Sequence, residues 1–257
     1  MPRINLSNIS LDIPLISSDR VSIKNTTSFE IGGILKFTKN RLNHVKALKN
    51  INLEASSGDR IGLMGPNGAG KSTLLRLLAG IYQPTNGNVR IEGKICSLLD
   101  MNVGMNVNLS GYENLISIAY HFGMSKKEIS LNIKEMVNYT GLGDFINLPV
   151  RSYSSGMSVR LGYAIIPFLK SEILLLDESI GAGDISFRKK ASQKSTGLFK
   201  KADIIILASH NIEIMQEFCN KAIHLNKGEI LFSGTVHDTF VHYMKSLNLW
   251  KKRKKIK

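Results

Sequence analysis

The chain has 257 residues, which is long for one domain and short for two, so we expect one domain with an inserted subdomain. Its hydrophobic content of 43% is ample for a buried core. Its two cysteines lie far apart without metal-ligand spacing, which argues against a disulfide framework and fits a reducing compartment. The N-terminus lacks the long apolar region of a secretory signal and no apolar stretch approaches a bilayer span, so we expect a chain that does not cross a membrane by itself.

The net charge of +14 predicts contact with an anionic partner. Six of the last seven residues are basic, and this tail has two interpretations: a solvated segment, or a contact with lipid headgroups, which Trp250 just before it favours. Neither an aromatic-studded basic sheet nor zinc-finger spacing is present, so we predict no nucleic-acid partner.

The strongest motif is Gly-Pro-Asn-Gly-Ala-Gly-Lys-Ser-Thr at residues 65–73. It fills every position of a phosphate-binding loop, in which glycines let backbone N–H groups converge on a phosphate and Lys71 reaches the β- and γ-phosphates. An apolar strand candidate precedes it and a helix former follows, so the helix dipole points at the anion. The motif predicts a site for ATP or GTP, with the hydroxyl of Ser72 as a ligand of Mg²⁺. The predicted nucleotide-binding residues are Gly65, Pro66, Asn67, Gly68, Ala69, Gly70, Lys71, Ser72 and Thr73.

Turn and cap signals organise the rest of the chain. We expect antiparallel strands before and after the phosphate loop, a helical insertion from about 110 to 169, and a hairpin at 226–228. Pro167 should kink or end the last inserted helix. Two capping boxes each predict the start of a helix. They are formed by Ser110 with Glu113 and by Ser125 with Glu128.

Two continuous apolar runs predict parallel strands that are buried on both faces. Residues 173–176 lead into Asp177, a candidate Mg²⁺ ligand, and Glu178, a candidate general base for the attacking water. Residues 204–208 lead to His210, which can hydrogen-bond a γ-phosphate if both strands end at one sheet edge. The alternative to these catalytic roles is that Asp177 and Glu178 only cap the following loop and that His210 has a structural role.

Residues 153–157 read Tyr-Ser-Ser-Gly-Met and lie between the phosphate loop and the acidic strand, with His210 further along the chain. In this order, the segment resembles the signature motif of ATP-binding cassette (ABC) ATPases, which usually reads Leu-Ser-Gly-Gly-Gln. Ser154 and Gly156 are kept, whereas Ser155 and Met157 depart from the usual form. Ser154 can also cap the helix that follows. The resemblance implies a head-to-tail homodimer in which Ser154, Ser155 and Gly156 face the nucleotide held by the other copy, with Asp184 matching the D-loop aspartate.

Other features of the family are less regular in this chain. Phe37 is the first candidate for stacking on adenine, with His44 as the alternative. The segment 98–114, where the family carries its Q-loop, contains no glutamine. Either Asn102 or Asn106 could supply an amide in its place, and the sequence favours neither.

Residues 98–101 read Leu-Leu-Asp-Met and residues 109–114 read Leu-Ser-Gly-Tyr-Glu-Asn, which resembles one branch of the family, the exporters of bacterial surface polysaccharides. The Tyr-Ser-Ser-Gly-Met signature and the Asp177–Asp184 ending are typical of the same branch. The resemblance covers nearly the whole chain. Because a long C-terminal extension is lacking, the chain looks like a short form without a carbohydrate-binding domain.

The resemblance implies an α/β fold, namely a P-loop NTPase of ABC type with a mixed β-sheet core, an antiparallel β subdomain and an inserted helical subdomain. The nucleotide-binding domain would span 1–246, and a basic tail would span 247–257. The implied function is ATP hydrolysis, with ATP and Mg²⁺ as cofactors, coupled to export of a lipid-linked surface polysaccharide. O-antigen is the first expectation, and capsule or teichoic acid is the alternative.

The implied partners are a second copy of the chain and a separate transmembrane permease, with the glycan contacted only indirectly. The expected location is peripheral, on the cytoplasmic face of the inner membrane. Rival interpretations are a soluble ABC-type ATPase of translation or DNA repair, an importer subunit, and a non-catalytic adaptor.

Overall fold

The computed structural model of the protein describes residues 1–15, 35–36, 43–100, 103–177 and 201–247. These residues form two compact units. The first unit contains the described residues up to Gly93 and those from Ile204 onward, and the second unit runs from Lys94 to Asp203.

An antiparallel sheet in the first unit has the strand order β2-β3-β1-β5. Its side chains alternate, so that Ile4 and Leu6 are buried while their neighbours face outward. The alternation is reset where Asn8 adopts a φ of 53° and the register with β3 shifts, which brings Ile9 back to the buried face. The strands are β1 (Arg3–Leu15), β2 (Leu35–Lys36), β3 (Asn43–Ser56) and β5 (Asn86–Glu92).

The first unit also contains four neighbouring strands in the order β10-β9-β4-β8. The central strand β4 pairs in parallel with β8 and β9. Strand β8 is a continuous apolar run with buried side chains, as the sequence predicts, and β4 is buried from Ile61 to Met64. The predicted hairpin is confirmed, since β9 and β10 are antiparallel. The strands are β4 (Arg60–Met64), β8 (Ile204–Ala208), β9 (Lys221–Asn226) and β10 (Glu229–Gly234).

Three helices complete the first unit. Helix α1 buries Leu74, Leu75, Leu77 and Leu78, and this apolar stripe anchors the helix that follows the phosphate loop. The helices are α1 (Lys71–Leu78), α5 (Ile212–Phe218) and α6 (Val236–Ser246).

The described part of the second unit, residues 94–100, 103–177 and 201–203, combines a parallel strand pair with three α-helices. Strands β6 (Ile95–Leu98) and β7 (Ile173–Leu176) pair in register from Ile95↔Ile173 to Leu98↔Leu176. The helices are α2 (Gly111–His121), α3 (Lys126–Thr140) and α4 (Ser155–Tyr163), and short 3₁₀ turns occupy Gly143–Asn147, Val150–Ser152 and Ile166–Phe168.

Both predicted capping boxes are confirmed at the starts of α2 and α3. In the second box, the Ser125 N–H donates to the Glu128 carboxylate at 2.9 Å and the Ser125 hydroxyl accepts from the Glu128 N–H at 3.3 Å. Each box therefore satisfies helix N-terminal donors that would otherwise lack a partner.

Pro167 limits the length of α4, as predicted. The helix ends at Tyr163, four residues before the proline, because a proline ring clashes with the carbonyl four positions earlier. The chain then continues in a 3₁₀ turn that includes Pro167. Among the helices that the structure describes, none has the length and apolar character of a membrane span.

Candidate functional site

The end of β4 carries the phosphate loop and the end of β8 carries His210. The two strands run in parallel, and Leu63 pairs with Ala208. Gly65 and His210 each follow two residues after this pair, so the two strands deliver them to the same sheet edge. This is the edge at which parallel α/β sheets place their ligands.

The phosphate loop turns sharply at its first glycine. Gly65 has a φ of 149°, and a Cβ atom at this position would lie 2.1 Å from the Leu225 carbonyl oxygen. Only glycine fits, because any side chain would push the loop away from β9. The loop then closes on itself through the Ala69 N–H, which donates to the Pro66 carbonyl at 3.1 Å.

Lys71 stands at the first position of α1 and is only 8% exposed. Its Nζ atom donates to the Gly65 carbonyl at 2.7 Å and to the Pro66 carbonyl at 3.1 Å. These bonds compensate the cost of burying the ammonium group. They hold the charge across the loop, next to the positive end of α1, where an anionic phosphate would be attracted.

His210 brings an imidazole to the loop. Its Nε2 atom lies 3.4 Å from Lys71 Nζ and 3.1 Å from Asn67 Oδ1. The next residue fixes the local backbone, because the Asn211 side chain caps α5 by accepting from the Glu213 N–H at 2.8 Å. A cation, an imidazole and an amide thus converge on one loop, a set suited to the oxygens of a terminal phosphate.

The second unit holds the other described site residues. Asp177 is half-buried just beyond β7, and its N–H lies 3.5 Å from the Leu98 carbonyl. Ser154 is the N-cap of α4, where its hydroxyl accepts from the Met157 N–H at 3.3 Å, and Ser155 and Gly156 are exposed. The signature segment therefore presents an open, capped helix N-terminus.

Within the first unit, the structure brings together the phosphate loop and His210. Ser72 and Thr73 lie half-buried in the first turn of α1. His44, the alternative for adenine stacking, is an exposed residue of β3. Three predicted site residues lie outside the described residues: Phe37, Glu178 and Asp184.

Sequence reasoning missed a backbone contact of the phosphate loop. The Gly228 N–H in the β9–β10 turn donates to the Ala69 carbonyl at 2.9 Å. The Asn-Lys-Gly pattern at 226–228 predicts the turn, but nothing in a turn pattern indicates what the turn contacts.

Comparisons with known proteins identify the family to which this site belongs. A family model described as "ABC transporter" matches residues 48–181. The O-antigen export system ATP-binding protein RfbE of Yersinia enterocolitica is 37% identical over 90% of this chain and 97% of its own length. The teichoic acids export ATP-binding protein TagH of Staphylococcus saprophyticus is 34% identical over 96% of this chain and 93% of its own length.

A solved structure has the same fold. The dimeric structure of a post-hydrolysis state of the ATP-binding cassette MJ0796, bound to ADP and Pi, is similar over 91% of this chain and 98% of that chain. The TM-score is 0.66 and the sequence identity is 22%, a level at which the likeness concerns the fold. The expected ATP-binding cassette fold is thereby confirmed.

Proposed function

Since the chain belongs to the ABC transporter family, we propose that it is the ATP-hydrolysing subunit of an exporter that moves a lipid-linked surface polysaccharide across the bacterial inner membrane. The observation that carries the substrate class is the 37% identity to an O-antigen export ATP-binding protein over nearly the full length of both chains. O-antigen is therefore the first candidate for the exported glycan.

The first unit supplies the residues that bind the triphosphate. Backbone N–H groups of residues 65–73 bind the phosphates, and Lys71 exchanges its two loop carbonyls for phosphate oxygens. His210, whose imidazole lies beside Lys71 and Asn67, hydrogen-bonds the γ-phosphate in this proposal. Gly65, whose Cβ would strike the Leu225 carbonyl, supports this assignment, since the loop can pack against β9 in this shape only with a glycine there.

Mg²⁺ fits the oxygen donors of this chain. The Ser72 hydroxyl and the Asp177 carboxylate are both half-buried, and hard oxygen ligands are what Mg²⁺ prefers. The ion supplies charge neutralisation on the β- and γ-phosphates when bound. In this proposal, Glu178 accepts a proton from the attacking water, while Phe37 stacks on adenine.

We assign the signature segment to a second nucleotide in a head-to-tail homodimer. The capped start of α4, with exposed Ser155 and Gly156, supports this role because it offers N–H donors and a positive dipole end. Asp184 joins the same interface in this proposal. A mutant such as Ser154→Arg should bind ATP as a monomer but fail to form ATP-dependent dimers in size-exclusion chromatography. ATP-dependent dimers of that variant would contradict the arrangement.

Binding and hydrolysis of ATP drive the partner protein in this scheme. ATP closes the two copies and hydrolysis opens them, and the difference in nucleotide affinity between the two states provides the driving force. The membrane-spanning permease is a separate chain, and the ATPase lies peripherally on the cytoplasmic face of the inner membrane.

The hydrolytic assignment is tested by Glu178→Gln, with Glu54→Gln as the matched control on an exposed β3 position. Glu178→Gln should bind ATP with wild-type affinity and lose nearly all turnover, because the amide cannot accept a proton. Glu54→Gln should keep both properties. Turnover at the wild-type rate in Glu178→Gln would refute the role of Glu178 as the base.

Teichoic-acid export is the second candidate, and the similarity to a staphylococcal teichoic-acid export protein over 96% of this chain favours it. The two glycans are distinguished by reconstituting the chain with its permease partner in lipid vesicles. Lipid-linked O-antigen should stimulate ATP hydrolysis and lipid-linked teichoic acid should not. The reverse pattern would assign the chain to teichoic-acid export.

A further inference from the structure

The turn between β9 and β10 touches the phosphate loop and the antiparallel sheet at the same residue. The Gly228 N–H donates to the Ala69 carbonyl at 2.9 Å, and the Gly228 carbonyl accepts from the Lys49 N–H at 2.8 Å. A single residue thus connects β3 to the phosphate loop through two backbone hydrogen bonds. Beside this bridge, Lys49 Nζ and Glu229 Oε1 form an ion pair of 3.3 Å.

The bridge requires a glycine. Gly228 has a φ of 80°, and a Cβ atom there would lie 2.6 Å from the Ala47 carbonyl oxygen and 3.2 Å from Leu48 Cα. Both neighbours are backbone atoms of β3, so they cannot rotate out of the way as a side chain could. The close approach of three backbone segments is therefore possible only without a side chain at this position.

The contact has a directional consequence for the loop. In the planar trans peptide between Ala69 and Gly70, the carbonyl and the N–H point in opposite directions. Because the Ala69 carbonyl is bonded to Gly228, the Gly70 N–H points away from the β9–β10 turn. That N–H is one of the backbone donors that a phosphate-binding loop uses.

We propose that Gly228 is a positioning residue for nucleotide binding, which fixes the direction of the Gly70 N–H by holding the Ala69 carbonyl. This inference rests on the nucleotide site of the proposed function and is independent of the exported glycan. Gly228 acts through the phosphate loop and does not itself contact the nucleotide. It extends the phosphate site to a turn more than 150 residues further along the chain.

The test compares Gly228→Ala with Gly58→Ala in the full chain. Gly58 also has a positive φ, 94°, but a Cβ atom there would meet nothing within 4 Å. Both variants therefore carry the conformational strain of alanine at positive φ, and only Gly228→Ala displaces the bridge. The measured quantities are the Kd for ADP, the KM and kcat for MgATP, and the thermal midpoint.

We expect both variants to have a lower thermal midpoint. The ADP Kd should rise about tenfold in Gly228→Ala only, which is the usual effect of losing one hydrogen bond to a charged group. The KM should rise in parallel while kcat changes less than about threefold, because the contact acts in ground and transition states alike. Equal Kd values for the two variants, or a fall in kcat at constant KM, would overturn the proposal. Failure of the wild-type chain to bind nucleotide would instead reject the proposed function.

A second measurement does not depend on the folding of any variant. The amide hydrogen exchange rates of the Gly228 N–H and the Asp59 N–H are measured in the wild-type chain with and without ADP. The Asp59 N–H is the control, since it donates to the Ser56 carbonyl at 2.9 Å in the turn that contains Gly58. ADP should slow exchange at Gly228 at least about tenfold more than at Asp59, since a ligand suppresses local opening of the groups that shape its site. Equal slowing at both amides would overturn the proposal.

Discussion

Lys71 Nζ and His210 Nε2 lie 3.4 Å apart although 139 positions separate the two residues in the chain. The distance follows from the parallel pairing of β4 with β8, which brings the residues after both strands to one edge. An ammonium group that bonds two loop carbonyls thus stands beside an imidazole that contacts Asn67. In the proposed function, Lys71 binds the phosphates and His210 acts in catalysis.

Lys71→Ala should weaken ATP binding by at least about a hundredfold, because an ion pair to phosphate in a buried site is among the stronger polar contacts. Equilibrium binding of a fluorescent ATP analogue measures the effect. The control is Lys46→Ala, an exposed lysine of β3 in the same unit. Similar affinities in the two variants would contradict the role of Lys71.

His210→Ala should lower kcat by about a hundredfold or more and leave the Kd for ATP within about threefold, because the imidazole acts mainly on charge that develops in the transition state. Single-turnover hydrolysis and equilibrium binding separate the two effects. His237→Ala, an exposed position in α6, is the matched control. A rise in Kd with unchanged kcat would show that His210 serves binding alone.

The capping box of α3 should make stability depend on pH. The Ser125 N–H and hydroxyl, followed by Lys170, lower the pKa of Glu128 from 4.5 to about 2. A carboxyl with a lowered folded-state pKa stabilises the fold above its unfolded pKa and loses this effect as the pH falls from about 4.5 toward 2. The urea midpoint should therefore fall more between pH 6 and pH 3 in wild type than in Glu128→Gln. An identical fall in the two proteins would disprove the assignment.

Both cysteines should be unreactive in the folded chain. Burial raises the pKa of the Cys96 and Cys219 thiols to about 12, so little thiolate exists at neutral pH. Alkylation by iodoacetamide at pH 7.5 should be slow in the native chain and should accelerate strongly in urea. Fast modification of either thiol before unfolding would contradict this expectation, which rests on the burial of Cys96 and the partial burial of Cys219.

Prediction from the sequence succeeds where a local pattern has a direct physical meaning. The capping boxes at Ser110 and Ser125 are such patterns, since a hydroxyl and a carboxyl three residues apart can satisfy only local donors. The bulge at Asn8 could not be predicted, because a residue in the left-handed region resets the alternation without a glycine or proline to mark it. The Gly228 contact could not be predicted either, because its partners lie on other segments of the chain.

The sequence indicated the ATP-binding cassette fold through its resemblance to a known family. By its local patterns alone it determined the phosphate loop, the caps of α2, α3 and α4, and two buried strands that end in polar residues. Those local features depend on residue type and spacing over a few positions, so they can be recognised without a structure. Only the tertiary structure decided the register that aligns Leu63 with Ala208 and the bridge from Lys49 through Gly228 to Ala69. Such contacts join backbone groups that are distant in sequence, and their geometry depends on how strands and turns pack.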